Sequence, residues 1–198
     1  FAVTLDGREL YISESNVFSV FGLQPDTDYE LRIAGETVSE TLSFRTKQET
    51  CCLNVRDFGA AGDGSSDDTA AIHRAIDLLP EGGRLFFPEG VYLTFPILLK
   101  SRITLDISEN AVILGSTQRE RYPIIPAVVN DAANGKEIPL AGFEGSLMDS
   151  YQSLLHGSYC EDVAITGRGT VDGNGPNGDW WQGFDSFPAA RPRVIFLN

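Results

Sequence analysis

The stretch Asn54–Ile72, reading NVRDFGAAGDGSSDDTAAI, constrains this chain more than any other. Val55 and Phe58 supply apolar anchors, and glycines at 59, 62 and 64 permit the positive φ that a tight reversal needs. Ser66 or Asp67 is placed to cap a helix, and the paired carboxylates Asp67 and Asp68 sit where the helix dipole is positive. Ile72, Ile76 and Leu79 then recur at i, i+4 and i+7, which predicts an amphipathic helix over Asp67–Leu79. Asp57, Gly59, Gly62, Asp63, Gly64, Asp67 and Asp68 are read as structural residues of this turn and helix start. A short helix with one apolar stripe, entered through a glycine turn, is suited to cover the open end of a larger apolar core.

The C-terminal two thirds of the chain supply that core. Residues 84–88, 90–93, 97–99, 103–107, 111–114, 163–166, 170–172 and 194–197 read as short strands between Gly, Asn, Ser and Asp turns. Ile103, Leu105 and Ile107 alternate, so their side chains point to one interior. Many short strands closed by an end helix suggest stacked repeats, each roughly 20–45 residues long. Residues 118–157, rich in Pro, Gly and Asn, interrupt the rhythm as a long loop-rich insertion that either walls a cleft or decorates the edge.

Asn54–Asp77 resembles the entry segment of the pectate-lyase-like right-handed β-helix superfamily, in which a helix plugs the first rung. Such a plug hides apolar residues and unpaired strand edges. The resemblance implies an architecture and leaves the reaction open, since hydrolases, lyases, epimerases and phage tailspikes share it.

A second motif narrows the reaction. Gly167-Arg168-Gly169-Thr170-Val171-Asp172-Gly173-Asn174-Gly175, followed by Asp179-Trp180-Trp181, resembles the GxGxIDGxGxxWW segment of the polygalacturonase family of glycoside hydrolases. Gly169, Gly173 and Gly175 are expected at tight corners and Asp172 at a turn. Trp180 and Trp181 either pack beneath the insertion or stack on a sugar ring. Arg191 either anchors a turn or pairs with a galacturonate carboxylate. Trp180, Trp181 and Arg191 are therefore the candidate substrate-binding residues. His73, on the polar side of the helix, and His156, in the insertion, are expected to be structural.

The resemblance implies hydrolysis of α-1,4-galacturonan with inversion, by paired aspartates acting as acid and base. The family's Asn-Thr-Asp, Gly-His-Gly and Arg-Ile-Lys motifs have no match here. The one Asp-Asp dipeptide, Asp67–Asp68, is assigned to the helix start. No catalytic residue is therefore carried over to this chain, and the acid–base pair is expected beyond residue 198. The rival readings are a non-catalytic carbohydrate-binding or phage-spike β-helix, and a calcium-dependent pectate lyase.

Residues 1–47 have a different texture. Asp6-Gly7 is a hairpin turn signal between two alternating segments, and strands are expected at 17–20, 28–34 and 39–46. Leu23, Pro25, Thr27 and Tyr29 resemble the stretch before the sixth strand of fibronectin type III domains, where the tyrosine hydroxyl ties a corner to nearby backbone. A whole sandwich of that kind needs about 100 residues, so only its C-terminal half is expected here. Residues 48–53 then form a linker. The expected fold is mainly β: a partial fibronectin III-like β-sandwich, then the helix cap and first rungs of a right-handed parallel β-helix over 54–198, truncated at both ends.

A net charge of −13 argues against nucleic acid and an anionic membrane as partners. It also strains against an acidic plant polysaccharide, polygalacturonate or pectin oligosaccharides, the partner implied by the resemblance. A cleft's local field need not follow the net charge. Cys51, Cys52 and Cys160 show no metal-ligand spacing, so no cofactor and no metal is expected. Localisation stays open between secretion, periplasm and bacterial cytoplasm.

Overall fold

In the computed structural model, described over residues 1–15, 17–142, 145–181 and 188–197, the chain divides into two compact units, Phe1–Thr50 and Cys51–Asn198.

The first unit is one antiparallel sheet in the order β2-β1-β3-β4, built from β1 (Ala2–Leu5), β2 (Arg8–Ile12), β3 (Asp28–Ala34) and β4 (Ser39–Arg45). Asp6 and Gly7, with φ of 49° and 76°, make the two-residue turn joining β1 to β2. Both central residues thus take the left-handed conformation that matches the strands' own twist. Pairing of Leu5 with Leu31 and of Leu31 with Leu42 lines up apolar side chains on one face. Val3 is the one fully buried apolar residue of this unit among those described. Residues 17–20, expected as a strand, are irregular.

The second unit is a mainly parallel-stranded coil. It begins with β5 (Cys52–Asn54), a 3-10 turn at Val55–Phe58, β6 (Asp63–Asp67) and helix α1 (Thr69–Leu78). The first full rung is β7 (Gly83–Phe87), β8 (Gly90–Thr94) and β9 (Ile97–Leu98). The second opens with β10 (Ile103–Ile107) and β11 (Ala111–Gly115). The insertion then contributes β12 (Ile124–Ile125), β13 (Val128–Asn130), β14 (Glu137–Pro139) and β15 (Ser150–Tyr151) in two small antiparallel pairs. β16 (Leu155–Gly157) closes the second rung, and β17 (Ala164–Gly167), β18 (Thr170–Asp172) and β19 (Ile195–Leu197) form the third.

Equivalent strands stack in three parallel sheets, β5-β7-β10-β17, β6-β8-β11-β18 and β9-β16-β19. Register places like on like through the interior. Leu53, Leu85, Leu105 and Ile165 form one column; Tyr92, Ile113 and Val171 form a second; Ile97, Leu155 and Ile195 form a third. The insertion leaves this register intact: Leu105 pairs with Leu85 below and with Ile165 above. Closure of backbone pairing around every turn leaves unpaired edges only at the coil's ends, the problem the helix addresses.

Helix α1 is shorter than the predicted Asp67–Leu79, because Ser66 and Asp67 extend β6 instead. Ala71, Ile72, Ala75 and Ile76 are buried, and they join Val55, Leu79 and the columns in one core. The other expected strands appear with bounds shifted by a residue or so.

Candidate functional site

The helix-start carboxylates divide their work. Asp68 occupies the N-cap position, but its carboxylate turns away from the helix and accepts the backbone N–H groups of Ala61 (2.6 Å) and Gly62 (3.0 Å). An exposed charge at a helix dipole contributes about 0.3–1 kcal/mol, whereas hydrogen bonds to a charged group contribute about 1.5–3 kcal/mol. At 2% exposure, two amide donors outweigh the dipole. Asp67 accepts from the Thr69 N–H (3.1 Å) and pairs with Arg121 at 3.0 Å. Asp63 gathers Ser66 and Ser65 amides and hydroxyls, and the Ser66 amide above all holds its carboxyl well below the usual range. Asp57 is exposed on the 3-10 turn. Gly59, Gly62 and Gly64 have φ of 95°, 61° and 76°, the conformations expected for them. Each acid of the entry segment is thus engaged locally or exposed.

The second motif builds a different kind of place. Asp172 accepts the Asn174 N–H at 2.7 Å, and Asn174, at φ 55°, donates its side-chain amide to the Gly115 carbonyl at 2.9 Å. The last rung is thereby pinned to the one beneath. Gly169 lets its strand pass close over the previous rung, where a Cβ would lie 2.6 Å from the Ser108 carbonyl oxygen and collide with Ile107. Gly173 faces Val194, and a Cβ on Gly175 would come within 3.1 Å of the Trp181 indole nitrogen.

The two tryptophans part company. Trp180 is 5% exposed and packs edge-on against Tyr122 and Tyr151, with centroids 5.2 and 5.3 Å away, in a cluster that includes Phe95. Trp181 is 70% exposed, and the Arg191 guanidinium lies 4.2 Å over its ring. Both tryptophans line a hollow of about 560 Å³, together with Asp172, Gly173, Gly175, Arg191 and Arg193. Trp180, Trp181, Arg191, Asp172, Gly173 and Gly175 are therefore brought together, whereas the entry-segment residues lie elsewhere. An apolar-walled hollow carrying cationic groups is suited to a ligand with both a flat hydrophobic face and a negative charge.

Comparison with known proteins bears on the fold. Residues 52–130 match the family model described as Rhamnogalacturonase A/epimerase, pectate lyase-like. The exo-poly-α-D-galacturonosidase of Dickeya chrysanthemi is 32% identical over 163 residues, covering 79% of this chain and 26% of that protein. The chain is similar to pectate-lyase-like proteins, and its coil of parallel strands is a β-helix. Among solved structures, the Family 28 exopolygalacturonase of Yersinia enterocolitica is similar with a TM-score of 0.62 at 25% identity, covering 87% of this chain and 36% of that one. A hyperthermoactive exopolygalacturonase from Thermotoga maritima is similar with a TM-score of 0.53 at 38% identity, covering 69% and 28%. The chain is related to exo-polygalacturonases in sequence and in structure, and spans about a quarter of the length of the Dickeya relative.

Both histidines serve the coil. His73 Nε2 accepts the Leu98 N–H at 3.2 Å, tying α1 to β9. His156, expected in the insertion, instead lies on β16 in the centre of its sheet, in register with Leu98 and Phe196. It is 6% exposed, stacks on Phe196 with centroids 5.3 Å apart, and approaches Ser158 Oγ at 3.0 Å. Burial holds its pKa below the ordinary value.

Sequence reasoning missed Arg119, Tyr122 and Tyr151, which stand behind the tryptophan segment. Nothing in their local pattern marks them, because their partners lie far along the chain. Among the described residues, no three His, Cys, Asp or Glu side chains converge to hold a metal ion, and no helix is long and apolar enough to cross a membrane.

Proposed function

We propose that this chain supplies the end plug and first rungs of an inverting, exo-acting polygalacturonase, with the hollow at Trp181 and Arg191 facing galacturonate units. The observation that carries this reading is the exposed Trp181 ring beneath the Arg191 guanidinium on the third rung. A uronic acid presents a C–H face to an indole and a carboxylate to a guanidinium. Kinship with exo-polygalacturonases supports the substrate class. The catalytic aspartates belong to rungs beyond residue 198. Inverting carboxyls stand about 6.5–9.5 Å apart to admit a water, and the adjacent acids of this chain are engaged in turns and caps.

Residues 1–47 are read as the C-terminal half of a fibronectin type III-like domain, joined through 48–53 to the β-helix. This is supported by the Gln24 N–H donating to Tyr29 Oη at 2.8 Å, the corner that the sequence motif implies.

Calorimetric titration of the 198-residue chain with α-1,4-trigalacturonate tests the reading of the hollow. Trp181→Ala and Arg191→Ala should each weaken binding about tenfold or more, the loss of a stacked or charge-assisted contact. Equal affinity in wild type and both variants would sink it. The same chain should release no reducing ends from polygalacturonate. Turnover by it would place the acid–base pair within these residues and overturn the assignment to later rungs.

A further inference from the structure

Arg119 opens the insertion, and Asp179 immediately precedes the tryptophan pair. Arg119 grips Asp179 with two nitrogens, Nε at 3.1 and 3.2 Å from the two carboxylate oxygens and Nη2 at 2.8 Å from Oδ2. Its third nitrogen donates to Tyr151 Oη at 3.2 Å, and its Cζ lies 5.9 Å over the Tyr151 ring. The pair is only about a quarter to a third exposed. A planar guanidinium bound through a fork fixes direction as well as distance, which a lone ammonium does not.

The fork holds the backbone that leads into Trp181. One residue on, Trp180 is locked in the cluster with Tyr122 and Tyr151. Gly178 makes room for this approach, since a Cβ there would meet Trp180 at 3.1 Å and Thr117 at 3.4 Å. Two residues on, Trp181 lies with its indole nitrogen over Gly175 and its ring beneath Arg191. With most of its surface open to solvent, the ring takes its place from the anchored residues before it.

We infer that Arg119 and Asp179 form a positioning clamp that sets the Trp181 ring at the hollow, so that an element of the insertion governs uronate affinity without touching the ligand. This rests on the carbohydrate reading of the hollow. Arg119 acts through Asp179 and the chain, and Tyr151 holds the guanidinium from behind. The insertion thereby becomes part of the recognition apparatus.

The test is trigalacturonate titration of the 198-residue chain alongside its thermal unfolding midpoint, for wild type, Arg119→Met, Arg119→Lys, Asp179→Asn and the double variant Arg119→Met/Asp179→Asn. Arg119→Met and Asp179→Asn should each weaken binding about tenfold at a temperature well below unfolding, the size of a lost charge-assisted bond. The double variant should bind no worse than either single one, because both remove the same constraint. Arg119→Lys keeps the charge, loses the fork, and should fall short of wild type. Should Arg119→Met melt earlier yet bind as wild type does, the pair is a stability element only and the inference is overturned. Arg119→Lys decides the same question if the Met variant fails to fold: wild-type affinity in it also overturns the clamp. No binding by wild type would defeat the carbohydrate reading instead, and the clamp with it.

Discussion

Asp68 illustrates how one side chain can be assigned to the right neighbourhood and the wrong partner. A carboxylate before a helix invites a dipole argument, and yet this one serves the glycine turn. Its replacement by Ala would leave the amides of Ala61 and Gly62 without their carboxylate acceptor. Asp68→Ala should therefore cost about 2–3 kcal/mol, read from the denaturation midpoint at constant slope. Asp67→Ala, whose partners are half-exposed, should cost clearly less. His156 supplies a test by pH. Burial lowers its folded pKa below the ordinary 6.5, so the unfolded chain takes up the proton first. Stability contributed by this site is complete above 6.5 and falls as pH drops from there toward the folded value. His156→Gln should flatten that part of the stability profile, measured by chemical denaturation between about pH 7 and 5. Asp179 moves the same way at lower pH: Arg119 depresses its pKa, so the clamp is intact above the ordinary carboxylate value and fails as pH falls through the folded one.

The elements are held by stacking. Each rung contributes one apolar side chain to each interior column, and loss of a member is felt by the rungs on both sides. Leu105 has Leu85 beneath it and Ile165 above. Leu105→Ala should cost about 2–5 kcal/mol, and Ile165→Val, at the partly buried top of the same column, should cost less. Gly169 tests close approach: Gly169→Ala should destabilise the third rung more than Gly173→Ala, whose Cβ would meet only Val194 at 3.0 Å. The rung pattern was legible in the sequence because interior strands carry a period of two and turns carry Gly, Asn and Asp. The small strands of the insertion were not, since pairs of two or three residues leave no periodic signal. Residues 17–20 are mostly apolar as a strand should be, but they pair with no strand among the described residues and meet the sheet only through Tyr11, which packs on Phe18.

Taken whole, the chain joins a thin unit to a thick one. The first has a single fully buried apolar side chain among its described residues, and the second a continuous core running through α1 and its rungs. Resistance to local opening follows buried apolar contact. Amide hydrogen exchange should therefore be fast across β1–β4 and slowest at Leu85 and Leu105. Uniform protection along the chain would contradict this. Net charge has its own consequence: at −13, repulsion of an anionic oligosaccharide acts over a Debye length of about 8–10 Å, whereas the Arg191 contact acts at the hollow.

Local chemistry dictated the plug, the glycine turn and the rungs, because each depends on neighbours within a few residues or on a short repeating period. Folding assigned the rest: Asp68 to the loop amides, His156 to a sheet interior, Trp180 to the core and Trp181 to the surface. Arg119 meets Asp179 from 60 positions away along the chain. No local pattern encodes such a meeting, since it exists only once the coil has stacked its third rung over the second.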